Sequence, residues 1–572
     1  MSLTSFEFFI MIACTVCLYY LLPLKFRFLA LLVSNIWFIL QADSVFALVC
    51  MLIPAFVTYA TANYIGKCRE KTTNTTAIIS DIDSKRVNNP SIDTNISKNK
   101  STNIIETNKT NNTNKTNKTN KTKETNTANN KKIKLVLTLS IICIAGFLIV
   151  LKDSNFFINT WNLIAGALHI PLRFPQVHFT APIGISYYSL SWIGYLLDVY
   201  WGIATAEKNI LKFSVIAGYF PLLTSGPIIR YKDYSASIVT GHRFDYEKFC
   251  FGLQRILWGL MKKLVISSRL AVYVNAIYDG NGYNCFVGTY VLLAMVLFVF
   301  QLYTDFSGCI DIIIGISEML GIDLPENFDL PFISRSLSEF WRRWHISIGA
   351  FLRDYILYSI LKSAPFQKLG TWCKKKFGKK TGKKIPVRCG MLISWFLIGF
   401  WHGGYWNYII GVGLFFGVVI ILGEMVKPLT DKLITVLKVN VDSFAFRLFQ
   451  CIRTFCLFTF GLSFFRSYGG FLEGLKIWRS ALFEFSPWIF FDGSLLSFGL
   501  DAKDWHIIVF YMMVLAIAGI VRYVKKVPIR VLIAGQPLLF RWILYIALFV
   551  SVILFGCYGP GYDAQAFIYQ QF

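Results

Sequence analysis

Residues 394–417 read SWFLIGFWHGGYWNYIIGVGLFFG, a stretch whose only strongly basic or acidic side chain is His402. Such a segment belongs in lipid, and the same holds along most of the chain. Apolar runs of about 18 residues, long enough to cross a bilayer as helices, recur at Phe6–Leu22, Ser44–Tyr64, Ile133–Leu151, Phe286–Leu302 and Leu538–Cys557. The 572 residues are 55% hydrophobic and only 16% charged, against the quarter or so usual in soluble proteins. The reading is an all-α polytopic membrane protein with roughly ten to twelve transmembrane helices.

The net charge of +25 is concentrated between spans. Residues 67–134 hold 15 Lys/Arg against 6 Asp/Glu, and residues 362–388 hold 10 Lys/Arg and no acid. Basic loops between spans report cytosolic orientation and contact with anionic headgroups, so nucleic acid is not the expected partner. The first run lacks the basic flank and small-residue cleavage site of a signal peptide and is expected to be retained. Its only early charge is Glu7, whereas Lys25 and Arg27 follow it. That places the N-terminus outside and the segment from Lys67 in the cytosol. Four regions follow: N-terminal spans over 1–66, a low-complexity basic insert over 67–134, a core over 135–430 and further spans over 431–572. The insert repeats Thr-Asn-Lys, holds few apolar residues and is expected to be disordered. The cysteine pair Cys14 and Cys17 sits in an apolar helix and reads as packing rather than metal or redox chemistry.

With no soluble catalytic region, chemistry must come from polar residues inside apolar segments, where they are costly and usually functional. Three clusters qualify. In QLYTDFSGCIDIIIGISEMLG (301–321), Thr304, Ser307, Asp311 and Glu318 fall within an arc of about 60° on a helix, with Asp305 at its edge. Asp311 and Glu318 suit pairing with arginines that lock helices; Asp305 and Ser307 are equally candidates for the reaction site. In SLSEFWRRWHISIGAFLRDY (336–355), Ser336 and Glu339 form a capping-box pattern that starts a helix. On that helix Arg342, His345, Gly349 and Arg353 would share one face. In the third cluster, His402 lies between Trp401 and the pair Gly403–Gly404, close to Asn407. An imidazole in apolar surroundings stays neutral, the form a general base needs. None of the six histidines falls in H-E-x-x-H or another close pair, so a metal site lacks support. The absence of G-x-S-x-G, P-loop and dinucleotide patterns leaves direct transfer onto an acceptor hydroxyl.

These residues resemble the membrane-bound O-acyltransferases, in particular the bacterial branch that modifies alginate and teichoic acids. The resemblance rests on APIGISYYSLSWIGYLLDVYWG (181–202), YFPLLTSGPIIRY (219–231), the stretch 305–355 with FWRRWHIS, GFWHGGYWNYIIG (399–411) and the final FIYQQF (567–572). It implies helices ringed around a central tunnel and transfer from a cytosolic thioester, acetyl-CoA or an acyl-carrier protein, with no bound cofactor. It also implies an extracytoplasmic polysaccharide acceptor, reached directly or through a partner protein, His402 as the essential histidine and His345 as its support. Asn407 or the Gly403 and Gly404 amides are candidate oxyanion donors. The chain departs from the family at Cys309 and Ile310, and no glycine-rich turn follows Arg353-Asp354-Tyr355. Within that family the alternative is D-alanyl transfer to teichoic acids. Outside it, a transporter or flippase of envelope precursors would be expected to repeat its broken-helix motifs, and neither FWRRWH nor WHG recurs.

Overall fold

The structure, a computed structural model, describes residues 2–87, 129–279, 288–467 and 470–558. Among the described residues the regular structure is helical, with a single isolated bridge between Phe328 and Trp344. The principal helices of the first half are α1 (Phe6–Leu21), α2 (Arg27–Ala42), α3 (Val45–Val87), α4 (Asn129–Lys152), α5 (Ser154–Ala167) and α6 (Ile185–Trp201). They are followed by α7 (246–278), α8 (Thr289–Met319), α9 (Leu337–Arg343) and α10 (346–362). Then come α11 (Ala364–His402), α12 (Tyr408–Val436), α13 (Phe444–Leu462), α14 (Ala502–Lys525) and α15 (Leu538–Phe555).

Nine of the described helices are long and apolar enough to cross a membrane: α2, α3, α4, α8 and α11 to α15. The protein is thus an all-α polytopic membrane protein, and two further helices of the first half, α1 and α7, fall short of that length or apolarity. Helix α1 stops at 16 residues because the chain turns at Leu22–Pro23, short of the roughly 20 needed to span. Helix α7 has the length but carries Arg255, Lys262, Lys263 and Arg269, all turned inward.

Polar side chains tie neighbouring helices where lipid offers no partners. Thr15 meets Ser34 at 2.8 Å between α1 and α2, and Thr61 meets Ser140 at 2.7 Å between α3 and α4. At the centre, α7 and α8 pack with backbones nearly touching. A Cβ on Gly259 would lie 2.6 Å from the Gly308 carbonyl, and one on Gly252 would lie 2.6 Å from the Gly315 carbonyl. Two glycines seven residues apart on each helix make this approach possible.

Two boundaries differ from expectation. Helix α3 continues beyond Lys67 to Val87. The remainder of the expected disordered insert, 88–128, and the terminal FIYQQF motif lie outside the described residues. The Lys-rich segment 362–388 is helical rather than a loop. Gly378, at φ +76°, folds α11 back on itself so that Cys373 lies against Gly382.

Candidate active site

His345 sits where an expected single helix breaks in two. Ser336 caps α9 by accepting the Glu339 N–H at 3.2 Å, as the sequence pattern anticipates, and Glu339 in turn accepts the Arg335 N–H at 3.0 Å. The helix then ends at Arg343. Residues 327–329 run alongside 343–346: Asp329 N–H bonds to the Arg343 carbonyl at 2.9 Å, and Ile346 N–H to the Asn327 carbonyl at 3.0 Å. The fully buried Asn327 side chain completes the clamp. Its Oδ1 accepts the Ser347 N–H at 2.9 Å, and its amide lies 3.3 Å from His345 Nδ1. This holds His345 in a left-handed conformation, φ +47° and ψ +52°, which few residues other than glycine adopt. Its ring is buried and meets the edge of Phe306 of α8 at 4.8 Å between centroids.

His402 is the last residue of α11 and is 6% exposed. Its ring lies 5.0 Å from Trp401 and 5.4 Å from Phe465. Trp401 neighbours both histidines, lying 6.2 Å from the His345 ring. Its indole N–H donates to the Ser186 carbonyl at the start of α6 at 3.3 Å, and its carbonyl accepts from Lys152 Nζ at 2.9 Å. Beyond His402 the chain turns at Gly403 and Gly404. Cβ atoms there would collide with the Tyr408 ring and with Phe156, and the Gly404 N–H donates to Asp153 at 3.1 Å. Burial pushes the Asp153 carboxyl up to about 6, although Lys152 and the Gly404 N–H both pull it down.

The other expected residues divide. Trp401 joins the histidines. Asp311 pairs with Arg255 at 3.0 Å and with Lys262, and Glu318 pairs with Arg530, so both lock helices as read from sequence. Asp305 pairs with Lys263, and Ser307 accepts from Lys262 at 2.9 Å. Both therefore tie α8 to α7. Arg342 and Arg353 do not share a face with His345, because the break at Trp344–His345 rotates the two helices apart. Both are exposed, and Arg353 pairs with Asp354 at 2.8 Å. Asn407 spends its amide on the Phe464 and Ser467 carbonyls at 3.0 and 3.2 Å, and the Gly404 N–H is taken by Asp153. Those two oxyanion candidates are occupied by structure.

Sequence reading missed Asn327, Lys152, Asp153 and Ser186. Asn327 lay in view within PENF. Lys152 and Asp153 close an apolar run, where charges ordinarily mark the membrane surface, so nothing local marks them as turned toward the WHG segment.

Residues 185–372 match the family model described as MBOAT, membrane-bound O-acyltransferase family. The match includes His345 and ends before His402. The chain is 30% identical over 350 residues to the probable alginate O-acetylase of Pseudomonas syringae pv. tomato, covering 61% of this chain and 60% of that protein. It is 27% identical over 325 residues to the peptidoglycan O-acetyltransferase of Helicobacter pylori, covering 52% and 57%. To the teichoic acid D-alanyltransferase of Bacillus subtilis it is 28% identical over 254 residues, covering 43% and 61%. The chain thus spans about 60% of the length of these curated relatives. With His345, Trp401 and His402 gathered in one buried place, the FWRRWHIS and WHG motifs meet in a single site, and residues 185–372, which hold the first of them, are similar to the membrane-bound O-acyltransferase family.

Proposed function

We propose that this protein moves an acyl group, acetyl in the first instance, from a thioester donor to a hydroxyl on an envelope polysaccharide. The observation that carries the reading is convergence. Two histidines 57 positions apart, one in the break between α9 and α10 and the other at the end of α11, meet around Trp401 in a site with little access to water. A neutral His402 takes the proton of the acceptor hydroxyl as its oxygen attacks the thioester carbonyl. The tetrahedral intermediate then expels the donor thiolate, which recovers that proton from the imidazolium. His345, fixed by Asn327, supports the reacting groups from beside Trp401.

The donor enters from the cytosol along a tunnel between the helices. The Lys-rich hairpin of α11 suits the phosphates of acetyl-CoA or an acidic acyl-carrier protein. The acceptor is extracytoplasmic, reached directly or through a partner protein. The N-terminus faces outward and the basic segment from Lys67 is cytosolic. D-alanyl transfer is the second reading, favoured by the similarity to the Bacillus subtilis D-alanyltransferase.

The test compares ester-linked acetyl in envelope polymers of cells expressing wild type or His402→Ala at matched membrane levels. Loss of acetyl ester in the variant is expected. Unchanged ester content removes His402 from the reaction, and D-alanyl ester in place of acetyl ester selects the second reading.

A further inference from the structure

Lys152 and Asp153 lie at the junction of α4 and α5, some 250 residues from the WHG turn, yet they grip that turn on both sides of His402. On one side Lys152 Nζ donates to the Trp401 carbonyl at 2.9 Å, and it holds Ser186 Oγ at 3.3 Å. On the other side Asp153 Oδ1 accepts the Gly404 N–H at 3.1 Å. The two contacts bracket the imidazole within four residues of chain.

The local chemistry supports a dedicated role. Asp153 occupies the N-cap position of α5, where an aspartate ordinarily accepts from its own helix's first N–H groups. Here no such cap bond forms, and the carboxylate reaches across to Gly404 instead. Asp153 is 4% exposed, so this acceptor is held inside the protein rather than in water. The turn is shaped to receive it. A Cβ on Gly404 would stand 3.0 Å from Asp153 Oδ1 and 2.8 Å from Phe156 Cβ. Phe156, one turn into α5, packs edge-on against Phe400 at 5.4 Å and near Trp406 at 5.3 Å. Trp406 in turn donates to Thr160 of the same helix at 3.1 Å. The whole N-terminal half of α5 is therefore seated on the turn, with the two charged residues at its tip.

We propose that Lys152 and Asp153 are positioning residues that fix His402 against the reacting groups through the backbone of its own turn. The proposal rests on the acyl-transfer reading for its kinetic consequence, but its structural half stands apart from it. Neither side chain needs to touch substrate. Asn at 153 keeps a carbonyl oxygen for Gly404, whereas Ala keeps none.

The experiment uses purified full-length protein in detergent or nanodiscs: wild type, Asp153→Asn, Asp153→Ala and Lys152→Met. Two readouts are taken. The first is the rate at which diethyl pyrocarbonate modifies His402, followed by mass spectrometry of the peptide that contains it. The second is kcat and KM for transfer to a hydroxyl acceptor. Slow modification is expected in wild type and Asp153→Asn, and clearly faster modification in Asp153→Ala and Lys152→Met. In those two variants kcat is expected to fall by about 100-fold with KM for donor unchanged, as for a catalytic group displaced by about 1 Å. Asp153→Asn is expected to stay within about threefold of wild type, the acceptor being retained.

His402 as protected in both Asp153→Ala and Lys152→Met as in wild type overturns the proposal, as does equal loss in Asp153→Asn and Asp153→Ala. If Asp153→Ala does not fold, Lys152→Met decides the question from the other side of the imidazole. If wild type shows no transfer while modification follows the expected order, the acyl-transfer reading fails and the positioning role stands.

Discussion

His345 shows how a residue becomes special through a distant partner. Nothing between Ser336 and His345 marks a helix end: the stretch has no glycine or proline, and its capping box promises a run of several turns. The break comes from Asn327, whose amide and carbonyl groups take up the backbone of Ile346 and Ser347 and meet His345 itself. Asn327→Ala removes both side-chain bonds inside the protein, each worth about 1–3 kcal/mol when a buried partner is stranded. A lowered melting temperature and loss of most transfer activity are the expected outcomes, measured by thermal denaturation in detergent and by acetyl-ester release. Asn327→Asp keeps the acceptor for Ser347 and should retain more stability than the alanine variant. The candidate histidines were legible because imidazole is conspicuous in apolar sequence. Their supports were not, since an asparagine eighteen positions away has no local signature.

The α7–α8 pair carries a different lesson at the scale of elements. The carboxylates of α8 could be placed on one helical arc from sequence alone, and the pairing of Asp311 and Glu318 with arginines follows that reading. The glycine contacts could not be foreseen, because Gly252, Gly259, Gly308 and Gly315 acquire meaning only once the helices are known to be neighbours. Gly308→Ala puts a Cβ 2.8 Å from the Gly259 carbonyl. The helices must separate, and a loss of about 1–3 kcal/mol is expected, as in other overpacked interiors. Asp305→Asn leaves the Lys263 ammonium without its carboxylate at a site that is 7% exposed. A cost of about 3–5 kcal/mol is expected, with Asp305→Leu/Lys263→Met recovering much of it. A double-mutant cycle on melting temperature checks this. A single variant more stable than the double would contradict it.

For the whole molecule, membrane character, helical class and the likeness to a known family follow from apolar run lengths and two motifs, whereas which helices are apolar along their whole length does not. Pro23 shortened the first run, and cations placed α7 inside the protein instead of against lipid. Thr61 and Ser140 join α3 to α4 directly, so that contact needs nothing from the intervening segment. Replacing residues 88–128 with a short Gly/Ser linker should leave melting temperature unchanged and ester formation within about twofold, as the entropic cost of a connection varies only slowly with its length. A cysteine introduced at Thr110, with the native cysteines replaced by serine or alanine, should react with membrane-impermeant maleimide only in inverted vesicles; labelling of intact cells would overturn the proposed orientation. The grip of Lys152 and Asp153 on the WHG turn also has a consequence for biogenesis. The bonds join positions 249 and 251 residues apart. At a synthesis rate of about 5–20 residues per second, the α4–α5 junction waits about 10–50 s for its counterpart to emerge. During that interval a buried-type Lys-Asp pair stands open in the nascent membrane protein. Closure of the imidazole's turn thus follows synthesis of residues 401–404, and a chain interrupted before Gly404 leaves Asp153 without the N–H it accepts.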